Sequence, residues 1–388
     1  MDRHDLVIYG VTGFTGAKIL ETLLDSETNV DFAVAGRNEQ KIRQLLCRIG
    51  ELKSEKDLSK VCVIVADSSN ETSLISMAKQ SKVVVNAVGP YRLYGEAVVK
   101  ACIDGGASYV DVCGEPAFLE EMQLKYSDAA KEKEVYIVGS CGWDSVPCDL
   151  GINFLKDHFH GRLNHAETFV QLSFGKDGFA FNTGTYNSLI LSLANMRKDG
   201  LGERRKKLMP EKLPRTGYFP LKRFFLWYNE FLRAYCLPFL GADKSVVSRT
   251  QYFNWQLHKE FPVIVQTYMG IKSLFWTCLL VLWLTAFSLL AQFNFTRKLL
   301  LRYPEKCSFN MFKNSGPTEA QMKDSSFTYW FYGFGWREEF PPEEVKRRHF
   351  LKVKVRCDGP DPGYTSTAAC VLCAAFTVLE DHKTLPDK

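Results

Sequence analysis

About the first 140 residues alternate short apolar segments with longer amphipathic ones. The apolar segments are rich in β-branched residues and hydrophobic at consecutive positions, as expected of strands that are covered on both faces. They are Leu6–Tyr9, Phe32–Ala35, Val61–Ala66, Val83–Val88, Tyr109–Val112 and Val135–Val138. Helical patterns fill the intervals between them. This alternation predicts an α/β fold with a doubly wound parallel sheet.

The pattern changes after about residue 142. Longer segments with exposed alternate positions predict a second sheet, mixed or antiparallel, with helices on one face. These segments are Glu167–Ser173, Val263–Met269, Phe327–Gly333 and Leu351–Arg356. We expect a first domain over 1–145, a second domain over 146–365 and a C-terminal helix within 366–388 that packs back on the first. The second domain includes a basic, aromatic connector (196–235) and a hydrophobic segment (273–296).

Composition narrows the class of protein. The chain has 388 residues, of which 46% are hydrophobic and 24% charged, values that exclude disorder and a multi-span membrane protein. The net charge of +5 gives no reason to expect nucleic acid, but ten basic and only three acidic residues lie between Arg197 and Arg223. The N-terminus enters a strand without a signal peptide, so we expect a protein that is not secreted.

Cysteine and histidine usage predicts neither disulfides nor a metal site. The twelve cysteines are scattered in mostly apolar surroundings, which fits reduced thiols in the cytosol. Cys370 and Cys373 have the spacing of a metal or redox pair, but no second pair accompanies them, and we expect a structural role in a buried helix. The seven histidines are isolated.

The first strand leads into a glycine-rich loop that opens a helix. Glycine is needed where such a loop turns sharply and where its backbone approaches a pyrophosphate, and the helix N-terminus offers free N–H groups to the phosphates. The strand, loop and helix together predict a Rossmann-type dinucleotide site. Its expected cofactor-binding residues are Gly10, Thr12, Gly13, Phe14, Thr15 and Gly16.

The end of the second strand favours NADP(H) over NAD(H). An NAD site places a carboxylate there for the ribose 2′-hydroxyl, whereas this chain has Arg37, with Lys41 one helical turn later. Both cations can hold a 2′-phosphate, and the alternative is that they are simply solvated. We further expect Asp67 to face the adenine, and Asn86 and Gly89 to lie beside the nicotinamide ribose.

Several motifs resemble those of the saccharopine dehydrogenase-like oxidoreductases. They are Val11-Thr-Gly-Phe-Thr-Gly16, Val34-Ala-Gly-Arg37, Val88-Gly-Pro-Tyr-Arg-Leu-Tyr-Gly95 and Gly142-Trp-Asp-Ser-Val-Pro147. The resemblance implies an NADP-binding domain, a second α/β domain, oxidoreductase activity and association with lipid droplets and other membranes. Bacterial relatives include a trans-acting enoyl reductase of glycolipid assembly. Such proteins usually continue past the final helix, so we expect a shortened form.

Hydride transfer often needs a proton donor, and the short-chain dehydrogenase pattern Tyr-x-x-x-Lys does not occur within 1–145, the predicted cofactor domain, where Tyr94 is followed at the fourth place by Val98 and Tyr126 by Ala130. Tyr91 and Tyr94 follow the Gly89–Pro90 turn, and either is a candidate catalytic residue. The alternative is that both rings pack a domain interface. Asp111 and Glu115 lie at the same predicted edge. Asp144 and Ser145 precede Pro147, and we expect them to cap a helix rather than to act in catalysis. The true saccharopine dehydrogenase reaction is not expected, because cationic residues are concentrated in the connector.

The hydrophobic segment 273–296 contains 24 uncharged residues with basic residues on both flanks. A single helix of this length would be about 36 Å long, which exceeds the hydrocarbon core of a bilayer. Because later residues return to the second domain, we expect a hairpin or a shallow insertion into one leaflet, or into a droplet monolayer, rather than a span. The aromatic and basic stretch Leu221–Arg233, with Arg204–Lys207 upstream, suits an anionic lipid surface. The alternative is a buried helix and a solvated basic loop.

These features together predict an NADPH-dependent oxidoreductase that reduces a C=C or C=O bond in a hydrophobic, lipid or glycolipid-related substrate. It is expected at a lipid droplet or on the cytosolic face of a membrane. The alternative is a non-catalytic scaffold or sensor that binds NADP(H) on lipid droplets without turnover.

Overall fold

A computed structural model describes residues 3–53, 57–215, 222–337, 350–381 and 384–386. Its N-terminal part contains six parallel strands in the order β3-β2-β1-β4-β5-β6. They are β1 (His4–Tyr9), β2 (Phe32–Gly36), β3 (Cys62–Val65), β4 (Ser81–Asn86), β5 (Ser108–Asp111) and β6 (Ile137–Val138). This is the strand order of a dinucleotide-binding sheet, in which the order along the sheet reverses between β1 and β4.

Five helices connect these strands and cover both faces of the sheet. They are α1 (Phe14–Asp25), α2 (Glu39–Leu52), α3 (Glu71–Lys79), α4 (Tyr91–Gly105) and α5 (Pro116–Glu132). Two separate hydrophobic clusters, one on each face, account for the continuous apolar runs in the strands. The predicted doubly wound α/β sheet is therefore confirmed.

The second sheet is mixed, with the strand order β14-β13-β7-β11-β10-β9, and β8 pairs with β12 separately. The strands are β7 (Arg162–Ser173), β8 (Phe181–Asn182), β9 (Trp227–Asn229), β10 (Ala234–Pro238), β11 (Ile264–Ile271), β12 (Phe312–Lys313), β13 (Ser326–Trp336) and β14 (Phe350–Pro360). The pair β7 and β11 is parallel, so this sheet is not purely antiparallel. Because β7 and β11 run in the same direction, the long insertion between them returns the chain to the end of the sheet at which β7 begins.

The helices of the second half either pack on this sheet or belong to the segments that connect its strands. They are α6 (Val146–Asp157), α7 (Thr183–Asn195), α8 (Leu201–Leu208), α9 (Asp243–His258), α10 (Leu274–Gln292), α11 (Asn294–Arg302), α12 (Pro304–Cys307) and α13 (Glu319–Lys323). Helices α6 and α9 cover one face, where Cys148, Ile152 and Val247 meet Phe327 and Phe331.

The hydrophobic segment 273–296 does not form the single helix that its composition predicts. Helix α10 ends at Gln292, Phe293 is extended, and α11 begins at Asn294. The Arg297 guanidinium donates to the Ala291 carbonyl at 3.3 Å and satisfies one of the last carbonyl groups of α10. Helix α10 is therefore about 28 Å long rather than 36 Å.

The chain returns to the first sheet at its C-terminal end. A π-helical turn, Pro362–Ser366, leads into α14 (Thr367–Glu380). Helix α14 packs against α1 and against strands β4 and β5. Its buried face belongs to the cluster on one side of the first sheet and consists of Ala368, Val371, Leu372, Ala375 and Val378.

Helix α14 offers two adjacent side chains for a test of this packing. Leu372 is buried and Cys373 is exposed. We expect Leu372→Ala to lower the free energy of unfolding by about 2–5 kcal/mol, because it leaves a cavity against the first sheet. Cys373→Ala is the control and should change it by less than about 0.5 kcal/mol. Equal effects in urea unfolding followed by far-UV circular dichroism would show that α14 is not docked on this sheet.

Candidate cofactor site and lipid-facing surface

The glycine-rich loop at the end of β1 brings α1 close to the strand. A Cβ atom on Gly16 would lie 2.3 Å from the Gly10 carbonyl oxygen, and Gly10 has a φ of +87°. Gly13 is the N-cap residue of α1 and supplies no side-chain hydrogen bond. The first amides of α1, at Phe14, Thr15 and Gly16, therefore lack a side-chain cap. A cofactor pyrophosphate fits this loop because the positive end of the helix is free to receive it.

The loop is adjoined by residues from the C-terminal half of the chain. The Phe14 ring packs edge-on against Tyr364, with ring centroids 4.6 Å apart. A Cβ atom on Gly316 would lie 2.5 Å from the Phe14 ring, so this approach also needs glycine. Thr12 and Gly13 are exposed. Phe14 consequently anchors the loop to the second half of the chain, which the sequence pattern did not indicate.

Exposed cations follow β2, and the carboxylate that lies between them, Glu39, pairs with Arg43 at 3.4 Å. Arg37 is exposed and forms no ion pair with any residue that the structure describes. The Asn38 side chain accepts from the Lys41 backbone N–H at 2.9 Å and caps α2. Lys41 is exposed on the first turn of that helix. The Arg37 and Lys41 side chains thus present positive charge where a 2′-phosphate is expected.

Asp67 follows β3 and is held by its own loop. Its carboxylate accepts hydrogen bonds from the Ser69 backbone N–H at 2.9 Å and from the Ser69 hydroxyl at 2.8 Å. These hydrogen bonds, with a smaller contribution from the charge of Arg37, lower the pKa of Asp67. Asp67 is therefore ionised at neutral pH and lies on the Arg37 side of the sheet.

Asn86, which we expect beside the nicotinamide ribose, has a fully buried side chain. Its Oδ1 accepts from the Val88 N–H at 2.9 Å, and its Nδ2 donates to the Tyr109 hydroxyl at 3.1 Å. Tyr109 in turn donates to Asp111 at 2.7 Å. The Asn86 side chain thus shapes the turn toward Gly89, which is exposed at the edge.

The two candidate proton donors differ in their surroundings. Tyr91 is buried, and its hydroxyl donates to the Asn86 carbonyl at 2.9 Å. Burial raises the pKa of Tyr91 well above its ordinary value. Because its proton is committed to the backbone, Tyr91 does not fit the role of proton donor. Tyr94 lies one turn later on α4 and is 41% exposed, and its hydroxyl makes no hydrogen bond with any residue that the structure describes.

Asp111 and Glu115 lie at the carboxyl edge but are both buried. Asp111 accepts from the backbone N–H groups of Cys113 at 2.9 Å and Ser140 at 2.7 Å. Burial raises the pKa of Asp111 to about 6, against the lowering effect of these hydrogen bonds. Asp111 therefore ties together the segments that follow β5 and β6.

Glu115 directly precedes α5, but its carboxylate caps α4. Its carboxylate accepts from the N–H groups of Tyr91 at 3.0 Å and Arg92 at 3.3 Å, the first two residues of α4. Pro90 occupies the N-cap position and provides no side-chain hydrogen bond. Glu115 thereby satisfies the first two amides of α4 and allows the helix to begin at Tyr91. It also accepts from the Ser188 hydroxyl of α7 at 3.1 Å.

Asp144 and Ser145 were expected to cap α6. Ser145 occupies the N-cap position but makes no capping hydrogen bond. Its hydroxyl lies 2.5 Å from the Ser140 hydroxyl. Asp144 contacts Gly114, at which an added Cβ atom would lie 2.9 Å from the carboxylate. Ser145 therefore occupies the predicted N-cap position, but its side chain does not make the hydrogen bond that capping requires.

Helix α10 exposes a broad apolar surface. Only Thr277, Phe287 and Ala291 of its 19 residues are buried. Its exposed side chains include Phe275, Trp276, Leu279, Leu282, Leu289 and Leu290, and Phe293 and Phe295 continue the surface. We call these eight side chains the α10 face. Its exposure contradicts the alternative of a buried core helix.

Among the described residues, two 19-residue helices are long and apolar enough to cross a bilayer, Leu274–Gln292 and Pro362–Glu380. The second includes α14, which packs on the first sheet. The first packs one side against α7, and the chain on both sides of it returns to strands of the same half. Both ends of this helix are therefore tied to the same half of the chain.

The basic residues of the connector are partly neutralised. Arg204 pairs with Glu121 at 3.0 Å, and Arg205 pairs with Glu120 at 2.9 Å, so α8 docks on α5. Arg223 pairs with Glu167 at 3.0 Å. These three cations are therefore paired within the protein, whereas Lys222 and Arg233 of the same stretch are exposed. Lys206 and Lys207 are exposed, and residues 216–221 lie outside the described residues.

No group of three or more histidine, cysteine, aspartate or glutamate side chains that could hold a metal ion occurs among the described residues. The acids near the site instead serve backbone amides and neighbouring side chains. Asp243, for example, is fully buried and accepts from the Tyr329 hydroxyl at 2.8 Å.

Comparison with known proteins agrees with the fold and with the cofactor. The sequence model of the saccharopine dehydrogenase NADP-binding domain matches residues 6–138. The solved structure of apo histidine-tagged saccharopine dehydrogenase (L-Glu forming) from Saccharomyces cerevisiae has a TM-score of 0.51, with 13% identity, over 98% of this chain and 90% of that chain. This likeness supports the shared fold.

Two relatives match along nearly the whole chain. A lipid droplet localized protein of Caenorhabditis elegans is 50% identical over all of this chain and 92% of that protein. A saccharopine dehydrogenase-like oxidoreductase of Mus musculus is 37% identical over 98% of this chain and 90% of that protein. The N-terminal domain binds NADP(H), and the chain belongs to the saccharopine dehydrogenase-like oxidoreductase family.

Proposed function

We propose that this oxidoreductase uses NADPH to reduce a C=C or C=O bond of a hydrophobic, lipid-class substrate at the surface of a lipid droplet or membrane. The observation that carries the proposal is the α10 face, an exposed apolar surface on a chain with an NADP-binding domain. A soluble enzyme with a water-soluble substrate has no need of such a surface. The relative from Caenorhabditis elegans is named for its droplet location, which supports the same placement.

The chain's own residues hold the cofactor in this proposal. The free amides at the start of α1 receive the pyrophosphate, and Arg37 with Lys41 receives the 2′-phosphate. Gly89 lets the backbone approach the nicotinamide end. When bound, NADPH supplies a hydride, and one proton completes the reduction of the double bond. Tyr94 is the remaining tyrosine candidate for delivering that proton.

The lipid surface in this proposal meets the α10 face with phospholipid headgroups at its rim. Lys272, Lys298 and Arg302 flank the face, are exposed and make no ion pair among the described residues. Aromatic side chains such as Trp276 are typical of the interface between headgroups and acyl chains. These charges favour an anionic phospholipid layer over a neutral one.

A second candidate function is an NADP(H)-binding scaffold or sensor without turnover. It is favoured by the hydrogen bonding of Tyr91, which removes one of the two predicted proton donors. It shares the cofactor site and the lipid surface with the enzyme, so only turnover distinguishes the two.

Arg37 tests cofactor selection. We expect Arg37→Ala to weaken NADPH binding by roughly 10- to 100-fold, because a charge-assisted contact to the 2′-phosphate is lost. NADH binding should change by less than about threefold, since NADH has no such phosphate. Arg48→Ala removes an exposed charge from the far end of α2 and is the matched control. Fluorescence titration with both cofactors measures these affinities, and equal losses for NADPH and NADH would contradict the assignment.

Gly13 tests the requirement for turnover. In the wild-type protein we expect NADPH consumption, followed at 340 nm, that depends on added lipid extract. Gly13→Asp should abolish it, because a carboxylate at the start of α1 repels the pyrophosphate. Cofactor binding without any lipid-dependent consumption would favour the scaffold or sensor.

Leu282 tests the α10 face. It is 67% exposed, and Leu257 on α9 is 66% exposed, which makes the pair closely matched. We expect Leu282→Asp to weaken flotation with phosphatidylcholine–phosphatidylserine vesicles by roughly tenfold or more, because a charge enters the apolar layer. Leu257→Asp should have little effect. If both variants float like the wild type, the α10 face does not contact lipid.

A further inference from the structure

Helix α7 lies between the α10 face and the predicted nicotinamide end of the cofactor site. On one side, Tyr186 and Ile190 share a hydrophobic cluster with Phe287 and Ala291 of α10. The rings of Tyr186 and Phe287 are 5.2 Å apart. On another side, Ser188 donates to Glu115 at 3.1 Å. One helix therefore contacts both the lipid-facing helix and the residue that caps α4.

Glu115 is the point at which α7 reaches the cofactor edge. Its carboxylate is 3% exposed and is shared between the first two amides of α4 and the hydroxyl of Ser188. Those amides directly follow the turn at Gly89 and Pro90. A shift of α7 therefore changes the hydrogen bonding of the carboxylate that holds this turn.

A second contact joins the same two regions. The Arg92 guanidinium forms a bidentate ion pair with Asp199, which follows α7, with both N–O distances at 2.7 Å. Bidentate pairs of this kind fix orientation as well as distance. The start of α4 is thus held from the second half of the chain by one hydroxyl and one carboxylate.

We propose that Glu115 and Ser188 are positioning residues that couple lipid binding at the α10 face to the cofactor turn at Gly89 and Pro90. This inference rests on the proposed function. Lipid that covers the α10 face restrains α10 and, through Tyr186 and Ile190, α7. Restraint of α7 fixes the Glu115 carboxylate, which accepts hydrogen bonds from the first two amides of α4. The start of α4 is then already ordered, so NADPH binding costs less conformational entropy. The two ligands therefore bind with positive coupling.

The coupling is measured on the full chain with two ligands. NADPH is titrated by fluorescence with and without saturating phosphatidylcholine–phosphatidylserine vesicles. We expect vesicles to tighten NADPH binding by roughly fivefold, and NADPH to tighten vesicle binding by the same factor, because linkage is reciprocal. An equal factor for the two ligands distinguishes coupling from a nonspecific effect of lipid on the fraction of folded protein.

Three substitutions on α7 locate the coupling. Ser188→Ala should reduce the factor by about half while both ligands still bind, because Glu115 keeps its bonds to α4 and the Arg92–Asp199 ion pair remains. Ser188→Thr retains the hydroxyl and should restore the coupling. Ser192→Ala, one turn later, removes a hydroxyl that makes no hydrogen bond among the described residues and should behave like the wild type.

The outcomes separate this inference from the proposed function. If the wild type binds both ligands without coupling, or if Ser188→Ala leaves the factor unchanged, the positioning role is wrong and the proposed function stands. If vesicles or NADPH fail to bind the wild type, the proposed function is wrong and the coupling is excluded with it.

Discussion

The close approach of helix α1 to the end of strand β1 determines where everything else in the site lies. No side chain fits between them, since a Cβ atom on Gly16 would be 2.3 Å from the carbonyl oxygen of Gly10. The approach directs the uncapped amides of α1 to the carboxyl edge of the sheet. Arg37 and the turn at Gly89 lie at the same edge because all strands of the sheet are parallel. A phosphate at α1 therefore also determines which side chains can meet the two ends of a dinucleotide.

Polar side chains at this edge mostly serve the backbone. Asn86, Asp111 and Glu115 each accept hydrogen bonds from amides that follow strands or begin helices. A loop at the edge of an open sheet has amides without partners, and a buried unpaired amide costs about as much as a lost hydrogen bond. Carboxylates and an amide that satisfy these groups hold the edge in one shape. The groups left to contact the cofactor are therefore mainly backbone atoms and the exposed cations near α2.

The first sheet could be predicted because its signal is local: apolar runs, glycine positions and helix periods agree with each other. The roles of individual side chains could not, because partners distant in the sequence decide them. Tyr91 follows a cofactor-edge turn, yet its hydroxyl bonds to the Asn86 carbonyl. Arg204 and Arg205 look like a free basic cluster in the sequence, yet two glutamates on α5 neutralise them. The helix start at Tyr91 likewise depends on Glu115, 24 residues away.

Helices α10 and α14 show why apolar composition alone does not identify a lipid-binding surface. Both lie within segments long and apolar enough for a bilayer. Helix α14 places Val371, Leu372 and Ala375 in the core of the first sheet, so its apolar surface is already removed from water. Helix α10 has one side against α7 and leaves the other uncovered, which a soluble protein tolerates only at a cost in solubility. The difference between them lies in what each helix packs against, and in the proposed function the side of α10 that α7 leaves uncovered is the side that meets a lipid layer.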